Sequence, residues 1–186
     1  MIAGMVRVPA AFRRMVILCG IMAAPIVARA DTIHWDAYWA TCEQRGVLNR
    51  LHGRPPRTPA EQYCWGVAYM VRRRPMTPDP VAALEWFRKA AKQNHPGAQT
   101  AMGYLYETGT GVQRNLPTAL WWYRKAAARG DPDGLFNLGL AYKEGIGMAP
   151  NRAKAEKYYR RAAARGSEDA KEELEVLRLE EQQPRQ

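Results

Sequence analysis

A period of 36 residues runs through most of this 186-residue chain. Residues 98–133 align without a gap on residues 134–169, and residues 62–97 form a degenerate third copy that lacks the glycine-containing loop of the other two. Recurrence at this spacing is typical of proteins built from stacked supersecondary units. The recurring positions, which we interpret as structural, are Gly103 and Gly139, Tyr106 and Tyr142, Gly109 and Gly145, Gly111 and Gly147, Ala119 and Ala155, Trp122 and Tyr158, and Ala126 and Ala162.

Each repeat is predicted to be an antiparallel pair of helices. In the middle copy, apolar residues recur at helical spacing over residues 96–108, and Gly109 supplies a stop that tolerates a positive φ. Asn115 then stands where a second helix needs an N-cap, as Asp79 and Asn151 do in the other copies. One such pair cannot bury its apolar face alone. The sequence therefore predicts an all-α fold, a right-handed α/α solenoid of antiparallel helix pairs.

Both ends of the solenoid are expected to carry capping helices. Residues 31–61 contain three aromatic residues and a cysteine at i, i+3, i+4 and i+7, which predicts a helix packed on the first repeat. These residues are Trp35, Tyr38, Trp39 and Cys42. Residues 170–186 continue the repeat register as one more helix and a tail, and its polar outer side suits a solvated cap.

Residues 1–30 have the pattern of a secretory signal peptide. Arg7, Arg13 and Arg14 precede an apolar run over residues 15–27, and an Ala-x-Ala ending predicts cleavage after Ala30. A membrane anchor is the alternative, but the run is shorter than the about 20 residues that a bilayer core requires. We therefore expect a periplasmic or secreted protein. Removal of the signal lowers the net charge from +10 to +6, because this segment holds four cations and no acid.

Export also bears on the cysteines, because an oxidising compartment permits disulfides. Cys42 and Cys64 are the two cysteines that remain after cleavage, and they are predicted to pair. Such a bond would clamp the N-terminal helix to the first repeat. Two free buried thiols are the alternative.

Charge is distributed unevenly along the remaining chain. Residues 98–166 hold 11 cations and 5 acids, whereas residues 167–186 hold 3 cations and 7 acids. A basic body favours an acidic protein partner in the cell envelope, and an anionic glycan or a membrane surface are further options. A basic face that is merely solvated is the alternative. Export argues against nucleic acid as a partner.

Sequence motifs for catalysis are scarce. Ser167 is the only serine, it stands at a predicted helix N-cap, and no Ser-x-x-Lys or Gly-x-Ser-x-Gly motif is present. The paired glycines lack the Lys-Ser/Thr of a phosphate-binding loop. The histidines and cysteines lack the short paired spacings of zinc sites. We therefore expect no enzymatic activity, no metal and no cofactor.

The middle repeat resembles the pattern of the Sel1-like repeat, a relative of the tetratricopeptide repeat. The resemblance covers about residues 62–170 and rests on Met102–Tyr106, Gly109, Gly111, Asn115, Ala119, Trp122–Ala127 and Gly130. It implies an α/α superhelix that serves as a protein-interaction scaffold, adaptor or regulator in the bacterial cell envelope.

Two other functions are implied by the same resemblance. One is a cell-wall-directed ligand binder or hydrolase, because a cysteine-rich branch of the family is associated with penicillin binding and β-lactamase-like activity. In that branch each repeat carries a cysteine pair, and here the second and third repeats have none. The other is a scaffold in exopolysaccharide assembly.

Candidate binding residues come from comparing equivalent repeat positions. Trp121 stands where the other copies have Glu85 and Lys157, so a position expected to face outward holds the largest apolar side chain. Packing of Trp121 on Leu120 or on a neighbouring repeat is the alternative. On the first helices, two side chains are placed to face the concave groove with two polar side chains near them, and a basic loop adds positive charge. These further partner-binding candidates are Tyr104, Asn137, Gln99 and Glu107, with Arg72, Arg73 and Arg74 in the loop.

Overall fold

The computed structural model describes residues 35–44, 55–71 and 78–182 of the chain. All of them belong to one compact unit. The described residues form eight α-helices and no strand. They are α1 (Trp35–Gln44), α2 (Pro59–Met70), α3 (Pro80–Lys92), α4 (Pro96–Thr108), α5 (Leu116–Ala128), α6 (Pro132–Glu144), α7 (Arg152–Ala163) and α8 (Glu168–Gln182). The predicted signal peptide and arginine loop lie outside the described residues.

Three consecutive helix pairs, α2 with α3, α4 with α5 and α6 with α7, form the body of the molecule, and each pair contacts the next. The predicted all-α solenoid is therefore confirmed. In each pair we refer to the first helix (α2, α4, α6) and the second helix (α3, α5, α7). The helix α1 precedes the pairs and α8 follows them.

Capping side chains set where the second helices begin. Asn115 Oδ1 accepts a hydrogen bond from the N–H of Thr118 at 3.0 Å, and Asn151 Oδ1 accepts one from the N–H of Lys154 at 2.9 Å. Asp79 caps α3 in the same way. These oxygens satisfy N–H groups that the first turn of a helix leaves without an intrahelical partner. The predicted N-caps are therefore confirmed.

One glycine in each first helix lies against an aromatic ring of the second helix. The pairs are Gly66 with Phe87, Gly103 with Tyr123, and Gly139 with Tyr159. A Cβ atom added at any of the three glycines would stand within 2.6 Å of a ring carbon, which is too close for a real side chain. Each of these rings is almost completely buried. The missing side chain therefore lets the two helices approach closely enough to enclose the ring.

The loop between paired helices also contacts the preceding repeat. Gly111 adopts a φ of +70°, and a Cβ atom there would stand 2.6 Å from the carbonyl oxygen of Pro80. Glycine meets both the left-handed conformation and the close approach. The Gly-x-Gly loop thus helps to join the second pair to the first pair, as well as connecting its own two helices.

The last helix, α8, packs against α7 and carries much of the acidic charge. Leu177 is buried on its inner side. Glu173 pairs with Lys143 at 2.6 Å, and Glu180 pairs with Arg152 at 2.8 Å. Acids of the C-terminal helix therefore neutralise cations of the body, and the basic face is smaller than the charge counts alone indicate.

Candidate functional site

Trp121 is the exposed aromatic side chain of a small surface on α5, which we call the outer aromatic patch (Trp121, Trp122 and Lys125). The Trp121 side chain is 48% exposed. Its ring centroid lies 4.6 Å from that of Trp122, in an edge-to-face arrangement, and Lys125 Nζ lies 4.0 Å from the Trp121 centroid. Trp121 thus contacts its own helix and leaves about half of its surface for a partner to cover.

Ring–cation contacts recur in the other repeats. Lys89 Nζ lies 4.1 Å from the centroid of Trp86, and the Arg161 guanidinium carbon lies 5.7 Å from that of Tyr158. A cation over the face of an aromatic ring is an attractive pairing, and the cation keeps its charge at the surface. Trp122, which the repeat pattern marks as a structural position, is only partly buried, and Tyr123 beside it is the enclosed ring.

Four candidate residues of the first helices lie inside the solenoid: Tyr104, Asn137, Gln99 and Glu107. Glu107 Oε2 accepts a hydrogen bond from the Tyr123 hydroxyl at 2.8 Å, and Gln99 Nε2 donates to the carbonyl of Ala91 at 3.3 Å. None of these side chains is exposed, and Tyr104 lies beneath Trp35 of the N-terminal helix α1. Each first helix packs between its own second helix and the neighbouring repeats, so most of its circumference is covered.

Gln99 offers a test of this buried placement. Its Oε1 atom is buried with no hydrogen-bond partner, and the equivalent residue of the next repeat is the buried Leu135. Gln99→Leu removes an unsatisfied polar atom and one long hydrogen bond to the Ala91 carbonyl, which still accepts from the N–H of Asn94. We therefore expect the free energy of unfolding to rise by about 1 kcal/mol. Thermal unfolding should show a melting temperature about 3 to 4 °C higher.

Thr100→Val is the matched control for Gln99→Leu, because it also removes a buried polar group on α4. Thr100 Oγ1, unlike Gln99 Oε1, has a partner, since it donates to Asp131 Oδ2 at 2.6 Å. The control should therefore lower the melting temperature. A decrease for Gln99→Leu as well would mean that the amide stabilises the fold.

The N-terminal helix α1 extends over the first helices of all three repeats. Cys42 of α1 is bonded to Cys64 of α2, as predicted. The Trp35 ring lies edge-on to Tyr104 of α4 with centroids 5.8 Å apart, and the Tyr38 hydroxyl donates a hydrogen bond to Asp133 of α6. The sequence predicted a helix packed on the first repeat. The structure extends its contacts to the second and third repeats.

Titratable groups meet beneath α1. Burial raises the pKa values of Tyr38 and Tyr63 well above the ordinary value, and the nearby charge of Asp133 raises them further. Burial also raises the pKa of Asp131, although hydrogen bonds from Thr100 and from the N–H of Gly134 act in the opposite direction. Tyr38 therefore keeps the proton that it donates to Asp133.

The raised pKa of Asp131 makes the stability of the fold depend on pH. The stabilisation from its protonated form is complete below the ordinary value of 3.8 and is lost as the pH rises through the higher folded-state value. Asp131→Asn keeps an N-cap side chain without a charge, so we expect a higher melting temperature near neutral pH. The advantage over the wild type should shrink as the pH is lowered towards 3.8 in a series of thermal unfolding curves.

Asp79→Asn makes the same replacement at an exposed N-cap and serves as the control. It should change the melting temperature little near neutral pH. A loss of stability for Asp131→Asn near neutral pH would show that the charged carboxylate stabilises the fold.

Sequence reasoning missed Tyr63 and Asp133 as contact residues of α1, and it missed the buried Asp131 near them. Asp131 occupies an N-cap position, as His95 and Ser167 do one period before and one period after it. An aspartate at an N-cap indicates a structural role and gives no sign of a contact with α1. The signal that was available is the spacing of aromatic residues on α1. That spacing predicts which side of α1 is buried, but it does not identify a partner 95 residues away.

No described helix has both the length and the apolar composition needed to cross a membrane. Within the same ranges, His, Cys, Asp and Glu side chains do not form a group of three or more that could hold a metal ion.

Stacked antiparallel helix pairs, each closed by a glycine–ring contact, define an α/α repeat protein of the tetratricopeptide-like class. A family model for the Sel1 repeat matches residues 62–95, 96–131 and 132–167. These matches cover more than half of the chain, which therefore belongs to the Sel1 repeat family. Sel1 repeats are typically non-enzymatic scaffolds for protein interaction.

Solved structures of Sel1 repeat proteins resemble this fold. A Sel1 repeat protein from Oxalobacter formigenes is 28% identical with a TM-score of 0.65, and the match covers 78% of this chain and 60% of that one. A protective antigen of uropathogenic Escherichia coli with an SLR fold is 30% identical with a TM-score of 0.56, covering 73% and 26%. The chain thus spans less than two thirds of either protein.

Helicobacter pylori cysteine-rich protein B shares the fold at 24% identity and a TM-score of 0.51, and the match covers 72% of this chain and 92% of that one. A search of curated proteins gave no match to this chain.

Proposed function

We propose that this protein is an exported interaction scaffold of the bacterial cell envelope, and that the outer aromatic patch binds its protein partner. The half-exposed Trp121 ring carries this proposal. Large aromatic side chains contribute strongly to binding when a partner excludes water from them. The other repeats have charged residues at the equivalent positions, so the repeat fold does not itself require a tryptophan there.

Two observations support the location. The signal-like pattern of residues 1–30 favours export. The Cys42–Cys64 disulfide is compatible with an oxidising compartment.

The charges around Trp121 favour a partner with acidic groups at the edge of its contact surface. Arg124 and Lys125 are exposed on the same helix, one turn from Trp121. Cations at the rim of an interface mainly increase the rate of association and favour partners of opposite charge. We therefore propose an apolar contact centred on Trp121 with carboxylates beside it.

The experiment is affinity capture from an envelope extract of the source organism with tagged wild type and Trp121→Ala. We expect the amount of captured partner to fall at least about tenfold for Trp121→Ala, the loss typical of a central interface residue. Val81→Ala is the matched control, because Val81 is also an exposed apolar residue on a second helix. Equal capture by Trp121→Ala and the wild type would contradict the proposed surface.

The recurring ring–cation pairs favour an anionic glycan as the second candidate ligand. Lys89 with Trp86, Lys125 with Trp121, and Arg161 with Tyr158 each place positive charge over an aromatic ring. Binding of this kind should weaken as salt screens the charges. Retention on an anionic polysaccharide column that persists at high salt, or no retention at low salt, would argue against the glycan.

A further inference from the structure

The helix α1 lies outside the three matched repeats, yet its side chains contact all of them. Its contacts are the Cys42–Cys64 bond to α2, the Trp35 ring against Tyr104 of α4, and the Tyr38 hydroxyl on Asp133 of α6. We propose that α1 is an intramolecular ligand, which occupies a groove that also accepts an amphipathic helix of a partner protein. This inference rests on the proposed scaffold function and assigns a second binding surface to it.

The geometry beneath α1 is that of helix-in-groove recognition. Trp35 and Tyr38 are spaced i, i+3, so both side chains project from one side of a helix. The Trp35 ring stacks on Phe87 with centroids 5.4 Å apart, and the Tyr38 ring lies edge-on to Tyr63 at 6.0 Å. Aromatic anchors of this kind account for most of the energy in such interfaces.

The polar groups of the groove define the partner further. Asp133 accepts the hydrogen bond of the Tyr38 hydroxyl, and Asp131 lies two residues away at the start of α6. A partner helix therefore needs a hydrogen-bond donor opposite Asp133, and acidic side chains at that position are disfavoured by repulsion. The helix that fits has an aromatic residue at i and a tyrosine, or another aromatic residue with a donor, at i+3.

An internal ligand competes with an external one at high effective concentration. A helix joined to its groove by a linker as short as the one between α1 and α2 has an effective concentration on the order of millimolar. The Cys42–Cys64 bond holds α1 in place more firmly than the chain alone. Weakening the ring contacts of α1 should therefore increase the affinity for an external helix.

The test uses a fluorescent peptide with the sequence of residues 34–45, in which Cys42 is replaced by serine. Its binding to the full-length protein is measured by fluorescence anisotropy in the presence of a reductant, because the intact Cys42–Cys64 bond would hold α1 in the groove. We expect the variant Trp35→Ala/Tyr38→Ala to bind the peptide at least tenfold more tightly than the wild type. Adding Asp133→Asn to that variant should weaken binding about fivefold, since a hydrogen bond is weakened.

Three controls separate this groove from other binding. A peptide in which alanine replaces both aromatic residues should bind at least tenfold more weakly. Glu43→Ala changes an exposed residue of α1 and should leave affinity at the wild-type value. Trp121→Ala should also leave peptide binding unchanged, because Trp121 lies on α5, outside the contacts of α1. A negative peptide assay therefore contradicts only the proposed binding groove beneath α1. A negative capture experiment contradicts only the proposed role of the outer aromatic patch.

Equal affinity of the wild type and the aromatic variant, or equal binding of the peptide that lacks aromatic residues, would overturn the inference. If the variant loses its helical circular dichroism, the test instead measures hydrogen exchange of the reduced wild type, in which the Cys42–Cys64 bond no longer holds α1. Excess peptide should then increase the exchange of the α1 amides at least several-fold, because α1 is displaced. Unchanged exchange with the peptide at saturating excess would overturn the inference independently of any variant.

Discussion

Replacement of Gly103 by alanine is expected to lower the free energy of unfolding by about 2 to 3 kcal/mol. Alanine is the better helix former by about 1 kcal/mol, so propensity alone predicts the opposite sign. The added Cβ, however, would stand 2.5 Å from Cδ1 of the Tyr123 ring, which is enclosed and hydrogen-bonded to Glu107. Because the ring cannot withdraw without breaking that bond, the helices must separate. Urea and thermal unfolding should show the loss, as a decrease of about 10 °C in melting temperature.

Gly97→Ala is the matched control, because it makes the same change in the same helix. A Cβ atom at position 97 would lie 3.3 Å from the end of the Tyr63 side chain, a contact that a small shift relieves. Gly97→Ala should therefore change the free energy of unfolding very little. If Gly103→Ala were as stable as Gly97→Ala, the close approach of α4 and α5 would not contribute to stability. The same conclusion would then apply to Gly139 and the approach of α6 and α7.

The double replacement Cys42→Ser/Cys64→Ser is expected to lower stability by about 3 kcal/mol. The bond closes a loop between residues that are 22 positions apart, and its removal increases the conformational entropy of the unfolded chain. Both cysteine side chains are buried, so serine hydroxyls at these positions also lose hydration without assured partners. Thermal unfolding of the variant and the wild type measures the difference.

The wild type treated with a reductant is the control for this variant. It should unfold at a temperature close to that of the double variant, and the reductant should not affect the variant itself. A melting temperature that neither reduction nor the two replacements change would show that the bond does not stabilise the fold.

Local signals in the sequence were sufficient for the solenoid. The first helix of the middle repeat was predicted over residues 96–108 and ends at Gly109 as observed, because the glycine adopts a left-handed conformation there. Asn115 and Asn151 begin the second helices because their side chains meet the first N–H groups of each helix. Caps and stops act over a few residues, which is why a single sequence reveals them.

The faces of the helices were less predictable than their ends. Gln99 and Asn137 are polar, which suggested exposure, yet both are buried because successive first helices pack against each other. The contact of Tyr38 with Asp133 depends on where α1 lies relative to the third repeat. No local pattern encodes that placement. Trp121, in contrast, was found by comparing repeats, since the shared fold makes a departure at one position visible.

Site-specific photo-crosslinking in the source organism tests the proposed scaffold function most directly. A photoreactive residue replaces Arg124, which is exposed one turn from Trp121 on α5. We predict one discrete crosslinked partner in the cell envelope when Trp121 is present, and its loss when Trp121→Ala is added. No crosslinked partner, or the same partner at the same yield with and without Trp121, would contradict the account.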